Sequence, residues 1–184
     1  MSTLFQTSIA SNLGVVKLTW VEDPNGPKAH RIILPQDKRI HDDNPEIEEL
    51  AVVASPLAIA ELAHNIQSLL GGQDIQFDLK ILDLTECREF QLKVLVAEYA
   101  VPRGYVTTYG RIAHHLGIHG GARAVGGALS SNPFPLVIPC HRAIRSNGQL
   151  GGFQGGVRMK ESLLRMEGVL FQADRKVIMD NVYY

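Results

Sequence analysis

The feature that most constrains this 184-residue chain is the stretch NPFPLVIPCHR at residues 132–142. Proline fixes the backbone φ angle and removes an amide donor, so prolines that flank a short apolar run predict a rigid, buried segment. The segment delivers Cys140, with His141 next to it in sequence. Only a thiolate is nucleophilic, and an adjacent base or positive charge favours it. We therefore predict a reactive Cys140, although a free cysteine is more often a small buried hydrophobic residue.

Composition limits the classes of protein to consider. A hydrophobic content of 45% and a charged content of 20% indicate a globular chain of one large or two small domains. The net charge of −1 means that any binding of nucleic-acid phosphates must depend on a local patch. Cys87 and Cys140 form no Cys-x-x-Cys pair, which argues against a disulfide scaffold and favours a reducing compartment.

Location can also be predicted from the sequence. No apolar stretch is long enough to span a bilayer, and the N-terminus lacks the charged and apolar regions of an export signal. We therefore expect a cytoplasmic protein with no membrane contact, or a nuclear one if the source is eukaryotic.

The first half of the chain predicts a small α/β domain. Its expected elements are strands at 13–20 and 32–34, a turn at 23–27, a polar loop at 36–45 and a helix at 55–70. Ser55 is the expected N-cap of that helix, Pro56 its first residue, and Gly71 its end. The pattern of residues 73–84 predicts a linker with some strand character.

Histidines raise the question of a metal site. The candidates in the first half do not have the paired spacing of a zinc site: His30, His41 and His64, with Cys87 beyond. In a second group, Gly117 interrupts the helix that a site would need, so exposed side chains are expected at His114, His115 and His119. We expect no metal.

The second half predicts a helix-turn-helix. A helix from Arg88 to about Val101 is followed by Thr107-Thr108 as the cap of a helix that carries Tyr109. Glycines at 117–121 form the turn, and a second helix spans 122–130. Two short helices joined by such a turn form this motif.

The second helix of the motif has almost no long side chains. Its residues are Ala or Gly at 122, 124 and 126–128, and Arg123 is the exception. Reading base edges in the major groove requires long polar side chains, whereas a bare helix suits close approach in the minor groove. Tight helix–helix packing through small residues is the structural alternative.

Three motifs in this order resemble one family. IPCHR at 138–142, RAVGGA at 123–128 and Asn132-Pro133 are similar to the active-site motif, recognition helix and hinge of the methylated-DNA–protein-cysteine methyltransferases, also called O6-alkylguanine-DNA alkyltransferases. The similarity covers about residues 89–168. It implies an α/β fold class, with an N-terminal α/β scaffold domain at 1–84. It also implies a mostly helical, winged-helix-like DNA-binding domain at 85–184.

The resemblance also implies an activity. A monomer would flip O6-alkylguanine, and also O4-alkylthymine, out of double-stranded DNA bound through the minor groove. It would then transfer the alkyl group irreversibly to Cys140, in a single turnover and without a cofactor. By the same resemblance His141, through a water, takes the thiol proton, and Glu167 holds His141. Asn132 ties the turn to the active-site segment.

The remaining site residues are carried over in the same way. Arg123 would enter the base stack in place of the extruded nucleotide, and Tyr109 would crowd the backbone and donate a proton to the leaving guanine. An ordinary surface arginine, a packing tyrosine and a solvated Glu167 are the alternatives. The other implied DNA contacts are Ala122, Ala124 and Gly126. The implied substrate pocket comprises Pro135, Leu150, Gly151, Gly152, Phe153, Gln154 and Gly155.

The pocket departs from the family at two positions: many relatives have Tyr where Phe153 stands and a polar residue where Gly152 stands. Phe153 keeps an aromatic wall but has no hydroxyl. The alternatives are a lesion-binding protein without transfer activity, against which Cys140 argues, and a sequence-reading regulator, against which the bare helix argues. A Cys-His hydrolase would leave Arg123 unexplained.

Overall fold

The computed structural model of the protein describes residues 3–35 and 55–184. The chain divides into two compact units, Met1–Glu86 and Cys87–Tyr184. The loop expected at 36–45, with His41, lies outside the described residues.

The first unit contains an antiparallel sheet of three strands in chain order, β1 (Leu4–Ile9), β2 (Val16–Val21) and β3 (Lys28–Ile33). Strand β2 is central, and its alternate residues Val16, Leu18 and Trp20 are buried, as the period of two requires. Phe5 on β1 stacks on Trp20 with ring centroids 4.3 Å apart. The turn expected at 23–27 is confirmed by the hydrogen bond from the Gly26 amide to the Asp23 carbonyl, at 2.9 Å.

Helix α1 (Leu57–Leu70) buries one apolar stripe, formed by Ile59, Leu62, Ile66, Leu69 and Leu70. The helix was expected, but its start differs, because Pro56 is the N-cap and no side chain caps the first turn. The Ser55 hydroxyl instead bonds the Thr7 hydroxyl at 2.5 Å, so the predicted Ser55 cap is wrong. Ser55 does not cap the helix because its hydroxyl is bonded to Thr7, a residue distant in sequence.

The segment expected as a linker with strand character is organised differently. A short 3₁₀ helix spans Leu79–Ile81, and the Asp78 side chain accepts a hydrogen bond from the Lys80 amide. Leu82 then forms an isolated parallel bridge with Ala29. This segment therefore packs as part of the first unit.

The second unit is mostly helical. Its elements are α2 (Glu89–Tyr99), β4 (Thr107–Thr108), α3 (Tyr109–His115), α4 (Ala122–Ser130), a 3₁₀ turn (Cys140–Arg142), β5 (Ala143–Ile144) and α5 (Gly156–Met166). Strands β4 and β5 pair in parallel. The predicted helix-turn-helix is α3 and α4, and the Thr108 hydroxyl caps α3 by accepting from the Arg111 amide at 3.2 Å. The predicted fold class is confirmed.

A second small core lies behind the paired strands. Val106, Ile144, Leu150, Leu164, Val169 and Val177 are buried together, and Phe171 and Val182 pack against them. The C-terminal segment closes it, because the Val106 amide donates to Asn181 and the Tyr183 amide donates to Val106. Among the residues that the structure describes, no helix combines the length and apolar character needed to cross a membrane.

Candidate active site

The proline-rich segment forms a buried lead-in to Cys140. The Ile138 amide donates to the Phe134 carbonyl at 2.9 Å, which closes a turn around Leu136, a residue with a φ of 77°. Such a positive φ is strained for a branched side chain and persists only where the surroundings enforce it. Leu136 is fully buried, so packing enforces it here. Cys140 follows with 6% of its surface exposed and begins a 3₁₀ turn.

Asn132 joins the end of α4 to this segment. Its side-chain amide donates to the Ile138 carbonyl at 3.1 Å, and its side-chain oxygen accepts from the Phe134 amide at 2.9 Å. The side chain is buried with both ends bonded, so it fixes the loop two residues before Cys140.

His141, Glu167 and Arg142 form a buried cluster. The His141 Nε2 lies 3.0 Å from Glu167 Oε1, and the Arg142 guanidinium donates to both Glu167 oxygens at 2.8 and 2.9 Å. Arg142 also donates to the Val101 carbonyl at 2.6 Å. Glu167 is the C-cap residue of α5 and is buried, which differs from the solvated helix-end charge that local sequence alone favours.

Electrostatics fix the protonation of this cluster. Burial alone would raise the pKa of Glu167, but His141 and Arg142 outweigh burial and lower that pKa to about 2. Burial lowers the pKa of His141 more than Glu167 raises it. At neutral pH His141 is therefore a neutral imidazole that donates Nε2–H to the Glu167 carboxylate. Its Nδ1 is buried, has no partner among the described residues, and is left as an acceptor.

The Cys140 thiol is protonated at rest. Burial raises its pKa to about 11; the Asn132 amide and Lys160 oppose this shift, and Glu98 adds to it. If Cys140 is a nucleophile, its thiolate therefore has to form in the course of the reaction rather than before it. The neighbouring neutral His141 is a base suited to that step.

Tyr109 is enclosed by two glycines. A Cβ on Gly151 would lie 2.7 Å from the Tyr109 hydroxyl, and one on Gly126 would lie 3.9 Å from the ring. Gly151 also has a φ of 72°, so both its backbone and the close approach require glycine. Burial raises the pKa of Tyr109 to about 12, so its phenol keeps its proton at neutral pH and can donate a hydrogen bond.

The expected pocket residues fall into two groups. Phe153 contacts His141 edge to face, with ring centroids 6.2 Å apart, and Gln154 donates to the Asn132 carbonyl at 2.7 Å. Pro135 bridges to Ile138, which places it on the same segment. Leu150 instead belongs to the small core, while Gly152 is exposed and Gly155 caps α5.

Helix α4 is as bare as its sequence indicates. Val125, Ala128 and Leu129 are buried, so they hold α4 to the unit. Arg123, Ala124 and Gly127 are exposed on the other side. No residue that the structure describes pairs with the Arg123 guanidinium. A cavity of about 330 Å³ adjoins the start of this helix, lined by Tyr109, Gly110, Ala122, Arg145, Ser146 and Asn147.

Two buried charged residues were missed by the sequence reading. Lys160 is fully buried and donates to the Ala143 carbonyl at 2.6 Å and the Gly152 carbonyl at 3.2 Å. Glu98 is also fully buried, and neither of its carboxyl oxygens has a hydrogen-bond partner within the described residues. A signal for Glu98 existed, because it lies four residues after Val94 and so falls on the apolar face of α2.

Burial shifts both groups toward neutrality. It raises the pKa of Glu98 to about 8, against the pull of Lys160 and Arg142 and a weaker effect of the nearby Ala143 amide. It lowers the pKa of Lys160 to about 8. The histidines at 114, 115 and 119 are exposed, as expected, and no cluster of metal ligands occurs among residues 3–35 and 55–184.

Comparison with known proteins identifies the family. Residues 89–169 match the model of the 6-O-methylguanine DNA methyltransferase DNA-binding domain. A methylated-DNA–protein-cysteine methyltransferase of Methanothermobacter thermautotrophicus is 51% identical over 114 residues, which is 62% of this chain and 64% of that protein. The match thus spans slightly less than two thirds of that relative. One from Mycolicibacterium paratuberculosis is 37% identical over 70% of this chain and 77% of its own.

Solved structures agree over most of the chain. The Mycobacterium tuberculosis O6-methylguanine methyltransferase superposes with a TM-score of 0.72 at 29% identity, covering 89% of this chain and 92% of its own. An M. tuberculosis OGT solved in complex with DNA gives a TM-score of 0.70 at 31% identity, with the same coverage. From its motifs, its buried cysteine centre and these relatives, the chain belongs to the methylated-DNA–protein-cysteine methyltransferase family.

Proposed function

We propose that this protein repairs DNA by transferring the alkyl group of O6-alkylguanine, and of O4-alkylthymine, to its own Cys140. The observation that carries the proposal is the buried cluster beside the thiol. A neutral His141 follows Cys140 in one 3₁₀ turn, and its Nε2–H is fixed by Glu167 while its Nδ1 is uncommitted. A nucleophile, a base and a residue that orients the base form the recurring arrangement for activating a thiol.

The proposed transfer moves the alkyl group from O6 of guanine to the Cys140 sulfur and moves two protons. His141 takes the Cys140 proton, directly or through one water. Glu167 stabilises the imidazolium that forms, and Arg142 holds the Glu167 carboxylate in place. The thiolate lone pair forms the S–C bond, and the electrons of the O6–C bond pass to the purine. The departing guanine takes up one proton, for which the Tyr109 phenol is the proposed donor. Solvent then returns a proton to the Tyr109 phenolate, and the His141 imidazolium releases its proton to solvent, so the proton count closes. The product thioether is stable, so each molecule reacts once, and the step as written needs no cofactor.

Reaching the lesion requires the nucleotide to leave the duplex. Cys140 is buried, so a methyl group on a stacked base cannot approach its sulfur. The bare face of α4, with Ala122, Ala124 and Gly126, suits a backbone-close fit into the minor groove. Arg123 would occupy the gap in the stack, because a planar guanidinium both stacks and donates hydrogen bonds.

The two units have separate roles in this proposal. The unit Cys87–Tyr184 holds Cys140 and the helix-turn-helix, so we assign it the transfer and the DNA binding. The unit Met1–Glu86 serves as a scaffold. One copy of the chain supplies every proposed residue, so a monomer suffices.

The test is the intact mass of the protein after incubation with a duplex that contains one O6-methylguanine. The expected result is one added methyl group per molecule, mapped by peptide analysis to Cys140 and not to Cys87. The same duplex with unmodified guanine is the control. Binding of the lesion without any mass change would instead support the non-catalytic lesion-binding role. Methyl groups on Cys87 would contradict the assignment of the acceptor.

A further inference from the structure

Arg145 lines two cavities, one beside the start of α4 and one beside residues 150–152 of the implied substrate pocket. It lines the cavity of about 330 Å³ together with Tyr109 and Ala122, which the proposed function places against DNA. It also lines a neighbouring cavity of about 590 Å³, together with Leu150, Gly151 and Gly152. The charge of Arg145 also acts on the Tyr109 phenol, opposing the rise of its pKa.

The guanidinium of Arg145 is exposed and nearly uncommitted. Within residues 3–35 and 55–184, its one side-chain hydrogen bond runs from Nη1 to the Gln149 side-chain oxygen, at a long 3.3 Å. It takes part in no ion pair within the described part of the chain. An arginine carries five N–H donors in a planar fork that matches the oxygens of a phosphate. Most of that capacity is therefore available to a ligand.

The charges around Arg145 favour an anion. The described residues that line the smaller cavity include no acid, and Ser146 and Asn147 add polar groups to its wall. In the larger cavity the two acids are already neutralised: Glu161 pairs with Arg165 and Arg175, and Asp174 pairs with Lys176 at 2.7 Å. Of the cations that line this cavity, Arg145 and Arg158 have no acidic partner among the described residues.

We propose that Arg145 binds a backbone phosphate of the extruded nucleotide or its immediate neighbour, and so guides the base from the stack into the pocket. The proposal rests on the proposed function for the identity of the nucleotide. A flipped nucleotide leaves its base in the pocket and its phosphates at the rim, and Arg145 lies on that rim. The chain has a net charge of −1, so its DNA affinity depends on a few such local cations.

The first experiment measures the salt dependence of DNA binding. Fluorescence anisotropy with lesion-free and O6-methylguanine duplexes would give Kd for the full chain and for Arg145→Gln over a range of salt concentrations. Loss of one phosphate contact lowers the slope of log K against log salt by about 0.9. We therefore expect a slope lower by about one for Arg145→Gln, and weaker binding on both duplexes. An unchanged slope would overturn the proposal.

Arg175→Gln is the matched control. Arg175 lines the same larger cavity but is held by Glu161, so its removal should leave the slope as it was. Equal changes for Arg145→Gln and Arg175→Gln would mean a diffuse field rather than a phosphate site, and would also overturn the proposal. Because Arg145 is exposed, Arg145→Gln should fold, which thermal unfolding checks.

The second experiment locates the phosphate. Single phosphates next to the lesion are replaced by uncharged methylphosphonates, and the affinity of each duplex is measured with and without Arg145→Gln. A double-mutant cycle then isolates the pairwise coupling. We expect one position at which the duplex substitution weakens the unmodified protein several-fold and has little further effect on the variant. Additive losses at every position would contradict the site.

The two proposals can fail separately. Salt slopes on lesion-free duplex report on Arg145 even if no alkyl group is ever transferred. Conversely, normal transfer to Cys140 with unchanged slopes would remove Arg145 from the phosphate site and leave the alkyltransferase assignment standing.

Discussion

The Cys140 centre and the exposed face of α4 solve opposite problems. Around Cys140 the structure buries charged groups and pairs most of them, with Arg142, His141 and Glu167 in direct contact. On α4 it presents almost nothing, because Ala and Gly leave Arg123 as the single long side chain near the start of the helix. Electrostatic interactions strengthen where water is excluded, which suits the buried charges around Cys140. Close approach to a nucleic acid requires the absence of bulky side chains, which suits the exposed face of α4.

The contrast between the buried centre and the face of α4 is tested first by removing the Cys140 thiol. Cys140→Ala should abolish transfer, while affinity for an O6-methylguanine duplex stays within a few-fold, because α4 and Arg123 are untouched. The measurements are methyl transfer followed by intact mass, and anisotropy with the same duplex. Residual transfer would place the acceptor elsewhere, and a large loss of affinity would mean that the buried centre also carries the binding.

The role of the exposed face of α4 is tested by Arg123→Ala. Without a side chain to fill the stack, an extruded base returns more easily, and unstacking costs a few kcal/mol. We expect the transfer rate from duplex to fall about 100-fold, and the rate from free O6-benzylguanine, which needs no flipping, to fall far less.

The matched control for this variant is Arg31→Ala, which removes an exposed arginine on β3. Both rates should be close to those of the unmodified protein. Equal losses on the two substrates for Arg123→Ala would assign that arginine to the chemistry and erase the division between the regions.

Burial of the Glu98 carboxyl near Cys140 lowers the stability of the protein at high pH. Its pKa is about 8 in the folded protein and ordinarily about 4.5. Between those values the folded state holds a proton that the unfolded state has released, so stability falls as pH rises through this window. Glu98→Gln removes that titration. The free energy of unfolding of the variant, relative to the unmodified protein, should therefore increase by roughly 2–5 kcal/mol between pH 4 and pH 9.

Urea unfolding at several pH values measures this difference. Glu89→Gln is the control, because Glu89 lies exposed on the same helix and forms an exposed ion pair with Lys93. A pH-independent difference for Glu98→Gln would show that Glu98 is ionised throughout and that its interior position is compensated.

The sequence predicted the surface region better than the buried one. The bounds of α4, its bareness and the Thr108 cap follow from local rules, since caps and glycine turns act within a few residues. The motif also indicated Cys140, His141 and Glu167. It did not indicate that Lys160 and Glu98 are buried beside them, because local pattern generally assigns charged residues to solvent. The position of Glu98 on the apolar face of α2 was a signal to the contrary. Strand β1 and the pairing of Ser55 with Thr7 were missed for a different reason, because partners elsewhere in the chain decide both.

The smallest expected effect concerns the protein after its one reaction. Transfer would leave a methyl group on the sulfur of Cys140, a residue that is 6% exposed in a segment held by Asn132 and followed directly by the buried His141. An added group of this size in a close-packed site typically costs ~1–3 kcal/mol. For a chain of this length each kcal/mol lowers Tm by roughly 2–4 °C. Protein shown by mass to be fully methylated should therefore melt several degrees below the untreated sample. The variant Cys140→Ala, which has no sulfur to methylate, should not show this loss upon the same treatment.

A methylated protein with an unchanged or higher Tm would mean that the site has room for its product. The buried region would then be less tightly packed than its unexposed side chains suggest, and its contrast with the open face of α4 would be one of charge and not of packing.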